Sequence, residues 1–359
     1  MGSLLCCQEH LGSSHSPGAK YVVNGPQPQE EPPKTYSWDK KKPVDPSAYQ
    51  FQGLKSNVVG KSPGTICGQQ FLIQNCKGCR IYLFDHTASV NIDDCEDCKI
   101  LISPCKGSVF IRNCINCTIG VACQQYRTRD CENIKTFLHC ATQPIIEESA
   151  NMSFACLQWN FDGLDNLYKE ASLSVFNNNW SKIHDFTPGE ESHFSYMDQE
   201  ASLLDEIGQE GVDSSWPSLD CRRFNSIVPL TQGMRKSNNP KQEATAFLLV
   251  YSDSQSLSST RARSIIHLME NYSIQLVQSK EVQMSESDSQ RITNSKAYDL
   301  LTSQGSVIGL EIRGTEVHVS LKKLESTNPS NAVLIPEPGK QTESLKHNFY
   351  SFFDIKMGL

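Results

Sequence analysis

Residues 76–98 read CKGCRIYLFDHTASVNIDDCEDC. Two C-x2-C pairs stand fifteen residues apart, and a third, Cys114 with Cys117, follows after fifteen more. That is the spacing of a zinc ribbon. The fold turns on whether these cysteines are metal ligands or side chains that recur with a structural period.

The flanking residues decide it. Aligned on the first cysteine of each pair, the rows are FLIQNCKGCRIYL (71–83), VNIDDCEDCKILI (90–102), VFIRNCINCTIGV (109–121) and YRTRDCENIKTFL (126–138), with a fainter PIIEESANMSFAC (144–156). The lead residues fall at 76, 95, 114, 131 and 149, in steps of 19, 19, 17 and 18. A repeat this short is one coil of a solenoid. Its columns recur at every second position: Phe71, Val90, Val109 and Tyr126; Ile73, Ile92, Ile111 and Thr128; Ile81, Ile100, Ile119 and Thr136; Leu83, Ile102, Val121 and Leu138. Alternation with period two is strand behaviour. Each row therefore holds two short strands, with a corner near Asn75, Asp94, Asn113 and Asp130, where stacked Asn and Asp can hydrogen-bond along a ladder.

The cysteine columns then face inward. In the fourth row the second cysteine is Ile134, and in the fifth the pair is Ser149 and Met152. A repeated four-thiolate site would not survive those replacements, whereas a tight coil wants small apolar residues, and buried cysteine behaves as one. The expectation is core thiols and no metal. The architecture implied is a parallel β-helix of about five to seven coils, its ends closed by residues 34–54 and 173–188.

The chain has 359 residues, a net charge of −7 and no Lys/Arg-dense face, which argues against a nucleic-acid partner. No apolar run approaches the roughly 20 residues needed to span a bilayer, and residues 1–30 lack an apolar secretory core. Fifteen cysteines in a chain with no export signal are expected to be reduced.

Inward columns fix their outward neighbours. Coils lie about 4.8 Å apart, so Ser108, Arg112, Gln125, Arg127, Arg129 and Glu147 are expected to form one exposed patch. Glu147 would stand one coil from Arg129 and diagonal to Arg127, close enough to orient either guanidinium.

The stretches ACQQYRTRDC (122–131) and FLHCATQPIIE (137–147) resemble the Q-x-R-x-R motif of the tubulin-cofactor-C family. PGTICGQQFLIQNC, KGSVFIRNC, LSVFNNNWS and IHDFTP are similar to it as well, so the likeness runs through most of residues 34–188. The resemblance implies a right-handed, cofactor-C-like β-helix. It also implies, for a member with a lipidated arm and a C-terminal kinase-like domain, a GTPase-activating protein for a GTP-bound ADP-ribosylation-factor-like small GTPase of cilia. Arg127 would be an arginine finger directed at the partner's GTP and magnesium, with no cofactor of the chain's own. Gly107, Ser108, Gln124, Gln125, Tyr126, Arg129, Glu147 and Phe186 would complete the contact. Tubulin is the other partner the family suggests, with a non-catalytic scaffold or tubulin-folding cofactor as the competing reading. The location implied is the cytoplasmic face of the plasma membrane, a cilium or a basal body.

The N-terminus, MGSLLCCQEH, offers Gly2 for myristoylation and Cys6 or Cys7 for palmitoylation, although Cys6 stands where Ser or Thr is usual. One myristoyl chain anchors only marginally, so a second acyl group is expected. Residues 1–33 read as a flexible arm, 189–243 as a linker, and 244–359 as a further domain. There, ATAFLLVYS, STRARSIIHLMENY, IQLVQSKEVQM, a polar helix near 285–303 and SVIGLEIRG give a β-α-β-α-β order, which suggests a ferredoxin-like α+β sandwich. The helix is expected to gather Ile265, Ile266, Leu268, Met269 and Tyr272 on one side. This half resembles nucleoside diphosphate kinase. It has VYSDS (250–254) where that family has its lysine motif, and His347 lacks the flanks of the family's phosphate-accepting histidine. Independent kinase activity is not expected.

Overall fold

The computed structural model describes residues 45–237, 240, 242–327 and 331–358. The proposed acylation sites Gly2, Cys6 and Cys7, and the first part of the 34–54 cap, lie outside them.

Strands β1 (Gln50–Gln52), β2 (Val58–Lys61), β3 (Phe71–Gln74), β4 (Arg80–Leu83), β5 (Val90–Asp93), β6 (Lys99–Arg112), β7 (Thr118–Arg129), β8 (Lys135–Cys140), β9 (Ile145–Glu147), β10 (Met152–Cys156), β11 (His184–Asp185) and β12 (Phe194–Tyr196) wind into a parallel solenoid. One face stacks β1, β3, β5, the ends of β6 and β7, β9 and β11. The other stacks β2, β4, the starts of β6 and β7, β8, β10 and β12. The register follows the sequence columns: Phe71, Val90, Val109 and Tyr126 are successive partners, as are Leu83, Ile102, Val121 and Leu138.

The corners have the expected chemistry, and twice over. Asn75, Asp94, Asn113 and Asp130 are left-handed at φ 52–55°, and so are Asp97, Asn116, Asn133 and Asn151 at a second corner, where the first row has Gly78. Amide ladders run along both: Asn113 Nδ2 donates to Asp94 Oδ1 at 3.2 Å, and Asn133 Nδ2 to Asn116 Oδ1 at 2.7 Å. Asn and Asp are the side chains that accept this conformation most readily after glycine. Between corners, the cysteines at 76, 79, 95, 98, 114, 117 and 131 are buried. Their thiols donate to nearby carbonyls, as Cys98 does to Glu96 O at 3.3 Å. Burial pushes the Cys79 thiol above its ordinary value.

Residues 189–243 depart from the linker reading. Phe194–Tyr196 supply the last solenoid strand, β12, so the solenoid runs past residue 188, and the residues after it run along the solenoid and cover its second face as a strap. Helix α1 (Leu164–Glu170) precedes this strap, and α2 (Leu203–Ile207) lies within it. Leu203 and Ile207 are buried, and Leu203 packs where Gly120 has no side chain, against Leu101. Trp216 lies 5.7 Å from the Tyr82 ring. The apolar residues that drive this docking are spaced widely among acidic and polar ones, so they give no periodic signal.

The C-terminal part comprises β13 (Ala244–Val250), α3 (Ser258–Glu270), β14 (Gln275–Val282), α4 (Glu286–Thr293), α5 (Asp299–Thr302), β15 (Val307–Gly314), α6 (Val317–Thr327), β16 (Val333–Leu334) and α7 (Lys340–Met357). The sheet order β14-β15-β13-β16, antiparallel throughout, is that of a ferredoxin-like sandwich. In α3 the buried side is Ser258, Ala262, Ile265 and Met269, while Leu268 and Tyr272 turn outward. The true stripe uses the small Ser258 and Ala262, which an apolar count passes over. His347 is on the exposed side of α7.

The sandwich meets the solenoid along the outer edge of β14. Asn177 Nδ2 donates to Glu281 O at 3.0 Å and its Oδ1 accepts from Glu281 N. Gln232 N and Gly233 N donate to Leu276 O and Val277 O. Asn178 Oδ1 accepts from Cys140 N, and Asn179 Nδ2 donates to Ala141 O. The asparagine run 177–179 thus satisfies the backbone of both parts.

Candidate functional site

Among the described residues, the strap covers the second face and leaves the first outward face open. Across it, Asn91, Phe110, Arg127, Ile145 and His184 are successive lateral neighbours. Beside them run Asp93, Arg112, Arg129 and Glu147. Strand β7 is hydrogen-bonded on both sides, by β6 and β9. Arg127 therefore stands on backbone that cannot shift without breaking two ladders.

Arg127 is exposed, and its guanidinium has no ion pair or hydrogen bond among the described residues. The register gives the reason. Its neighbours one coil away on each side are Phe110 and Ile145, whose side chains carry no hydrogen-bond acceptor. The other two arginines of the patch are engaged: Arg112 grips Asp93 through Nε at 2.7 Å and Nη2 at 3.0 Å, and Arg129 Nε lies 3.3 Å from Asp130 Oδ2. A permanently charged fork with five free donors, held on a stiff strand between apolar neighbours, suits a planar or tetrahedral oxyanion brought from outside.

The neighbouring polar groups are fixed. Ser108 Oγ donates to Gln125 Oε1 at 2.9 Å, which turns the Gln125 amide NH2 away from Ser108. Gly107 passes so close to β-helix backbone that an added Cβ would lie 2.5 Å from Ala88 O. The Gln124 carbonyl accepts from Thr142 N at 3.1 Å and Thr142 Oγ1 at 2.9 Å. Phe186 is 58 % exposed, stands edge-on to His184 at 4.7 Å between centroids, and its N–H donates to Ile146 O at 2.9 Å.

Two expectations need correction. Tyr126 is fully buried, with its hydroxyl 2.8 Å from Thr136 Oγ1. It belongs to an inward column and reaches no partner. Glu147 is in register with Arg129, but no ion pair joins it to Arg127 or Arg129; Arg129 turns to its chain neighbour Asp130 instead. The Glu147 backbone carbonyl is engaged by Asp130 N at 3.2 Å and Ser149 Oγ at 2.8 Å. His184 was not anticipated. The stretch IHDFTP carries it, but it lies 39 positions after its partner Ile145, and α1 interrupts the period. Among the described residues, no group of three or more His, Cys, Asp or Glu is arranged to hold a metal ion.

Residues 68–186 match the family model for tubulin binding cofactor C. The chain is 44 % identical to Protein XRP2 of Homo sapiens over 341 residues, covering 93 % of this chain and 95 % of that protein. It is 42 % identical to Protein XRP2 of Danio rerio, covering 93 % and 89 %. Tubulin-specific chaperone C of Bos taurus is 27 % identical over 136 residues, which is 38 % of this chain and 39 % of that protein.

Proposed function

The chain belongs to the XRP2-type tubulin-cofactor-C family, and from that premise we propose that it is a GTPase-activating protein for an ADP-ribosylation-factor-like small GTPase. Arg127 enters the partner's nucleotide site as an arginine finger. A P-loop GTPase without its own arginine gains about 10³–10⁵ in rate from one supplied in trans. The observation that carries this reading is the unengaged guanidinium of Arg127 on a doubly paired strand, beside two arginines that are both tied to carboxylates.

In this reading the chain holds no cofactor of its own. GTP and its magnesium ion belong to the partner. Gln124, Gln125, Gly107 and Ser108 line the approach to the phosphates, and Phe186 packs on the GTPase. Acylation at Gly2 with Cys6 or Cys7 holds the chain at the cytoplasmic face of the plasma membrane, in a cilium or at a basal body. Lipidated cargo trafficking is the process served. Single-turnover GTP hydrolysis by a panel of Arf-like GTPases, with and without the full chain, tests the reading. Stimulation of one member that vanishes with Arg127→Ala is the expected result.

A second reading is favoured by the likeness to tubulin-specific chaperone C. Here the same face binds tubulin or a GTPase without stimulating hydrolysis. Binding that persists while every GTPase keeps its intrinsic rate selects it.

A further inference from the structure

A cleft of about 190 Å³ lies where the strap crosses α3, remote in sequence from the arginine face. Arg223 and Phe224 come from the strap, and Arg263, His267 and Glu270 from α3. Three basic side chains and one carboxylate thus line the cleft. Glu270 is already engaged: Arg223 Nε and Nη2 both lie 3.0 Å from its Oε1, and His267 Nδ1 lies 3.9 Å from its Oε2.

Arg263 is the most loosely paired of the three. Its nearest carboxylate, Asp165, is 4.0 Å away on a side chain that is 68 % exposed. Its guanidinium has no hydrogen bond among the described residues and lies over the Phe176 ring at 5.9 Å. Partial burial lowers Arg263 below the ordinary arginine value against the opposing pull of Asp165 and Glu281, and its side chain stays 39 % exposed, within reach of a ligand from solvent. Phe224 forms an apolar wall. It is 73 % exposed and edge-on to His267 at 6.0 Å. Val228, Pro229, Leu230 and Ile266 complete an apolar lining.

We propose that this cleft binds an oxyanion carried on a small flat ring, an aryl phosphate or aryl carboxylate. The acidic group is held by the Arg263 fork, which suits both geometries. The ring lies against Phe224 and the apolar lining. The volume is below the roughly 300 Å³ at which pockets for drug-sized ligands begin, so the ligand is a single ring with one acidic group and not a whole nucleotide.

The test is calorimetric titration of the full chain with phenyl phosphate, benzoate, inorganic phosphate and benzyl alcohol. Saturable one-site binding of phenyl phosphate or benzoate is expected, with none for benzyl alcohol; which of the two binds distinguishes the phosphate from the carboxylate form. Arg263→Gln should weaken it at least about tenfold, the usual loss for a hydrogen bond to a charged group. Because Arg263 also touches Phe176, Phe224→Ala supplies an independent arm: its exposed ring can be removed without unfolding. That variant should weaken the aryl ligands several-fold and leave inorganic phosphate unchanged. No saturable binding of either aryl ligand, or binding undiminished in Phe224→Ala, overturns the proposal.

Discussion

Arg129 stands in register with Glu147 on the adjacent strand, yet makes its ion pair, at 3.3 Å, with the next residue in its own chain, Asp130. The Glu147 carboxylate is left on the open face, two positions along from the lateral partner of Arg127, with no cation bound to it. In the proposed complex with a GTPase it would turn toward Arg127. Glu147→Ala should therefore reduce stimulation of GTP hydrolysis by about tenfold, a positioning loss smaller than loss of the finger. Asp130→Asn, which removes the carboxylate that does hold an arginine, should change the rate little. Single-turnover rates of the two variants check this, and the reverse order would assign the orienting role to Asp130.

The cysteine columns are core, so their substitutions should read as packing changes. Cys98 is fully buried, between Cys79 and Cys117 in its column. Cys98→Ala should cost about 1 kcal/mol for a small cavity. Cys98→Asp should cost several-fold more, because it buries a carboxylate among thiols. Urea midpoints measure both. Elemental analysis of the purified chain should give well under one zinc per molecule. A stoichiometric zinc whose removal unfolds the chain would make the columns ligand sets after all.

Anchoring is expected to need two acyl groups, Gly2 with Cys6 or Cys7, because MGSLLCCQEH has no basic cluster to act as the second signal. Gly2→Ala should move the chain to the soluble fraction. Replacing both cysteines by serine should leave weak, reversible attachment, seen as slow loss during washing. Full retention of the double cysteine variant at the membrane would refute the two-acyl arrangement.

Lys280 couples the two parts of the structure to pH. Its ammonium is almost completely buried where β14 meets the solenoid, bonded to Asn179 Oδ1 at 2.6 Å and 5.1 Å from the Phe353 ring centroid. Burial pushes it from 10.5 down to about 7. Between those values the unfolded chain carries a proton that the folded chain lacks, so stability rises with pH through this window. His139, buried nearby and pushed by burial to about 4, acts in the same sense between about 4 and 6.5. Lys280→Met should remove most of the rise between pH 7 and 10. Comparing urea midpoints of wild type and variant at pH 7 and pH 9.5 isolates it, since every other titrating group is shared. Equal slopes would show that Lys280 keeps its charge in place.

What the sequence disclosed followed from how strictly each feature repeats. The solenoid register was legible to the residue, because Ile73, Ile92 and Ile111 occupy one column and a slip of one would bring them to the outside. The outward placement of Arg127 was legible from the columns, but its lack of a partner was not: Glu147 is expected from sequence to orient it, and only the structure shows the pair unmade, with Phe110 and Ile145 as the lateral neighbours. Tyr126 was misassigned for a reason visible in the same columns: adjacency to Arg127 in the chain puts it on the opposite side of the strand. The strap was illegible, since Leu203, Ile207 and Trp216 share no period and their acceptor surface, Leu101, Gly120 and Tyr82, exists only after coiling. The α3 face was misjudged because Ser258 and Ala262 pack by being small.

The finger carries the sharpest expectation. Arg127 has no intramolecular acceptor, and its strand is fixed by β6 and β9. Its removal should leave the fold and the rest of the docking surface as they are. The guanidinium's contribution would come as charge develops between the transferred phosphoryl group and the leaving oxygen, and much less in the ground state. Arg127→Ala should thus slow stimulated hydrolysis by a factor within about 10³–10⁵, several kcal/mol of activation, while weakening affinity for the GTP-bound partner far less. Lysine retains the charge and loses the planar fork, so Arg127→Lys should be nearly as slow as Arg127→Ala. Arg112→Lys is the internal control: it disturbs the pair with Asp93 at the margin of the face and should alter the rate only slightly. The measurements are the single-turnover rate and the Kd for each variant. Wild-type stimulation by Arg127→Ala would leave the face as a docking surface alone and transfer the argument to the non-catalytic reading.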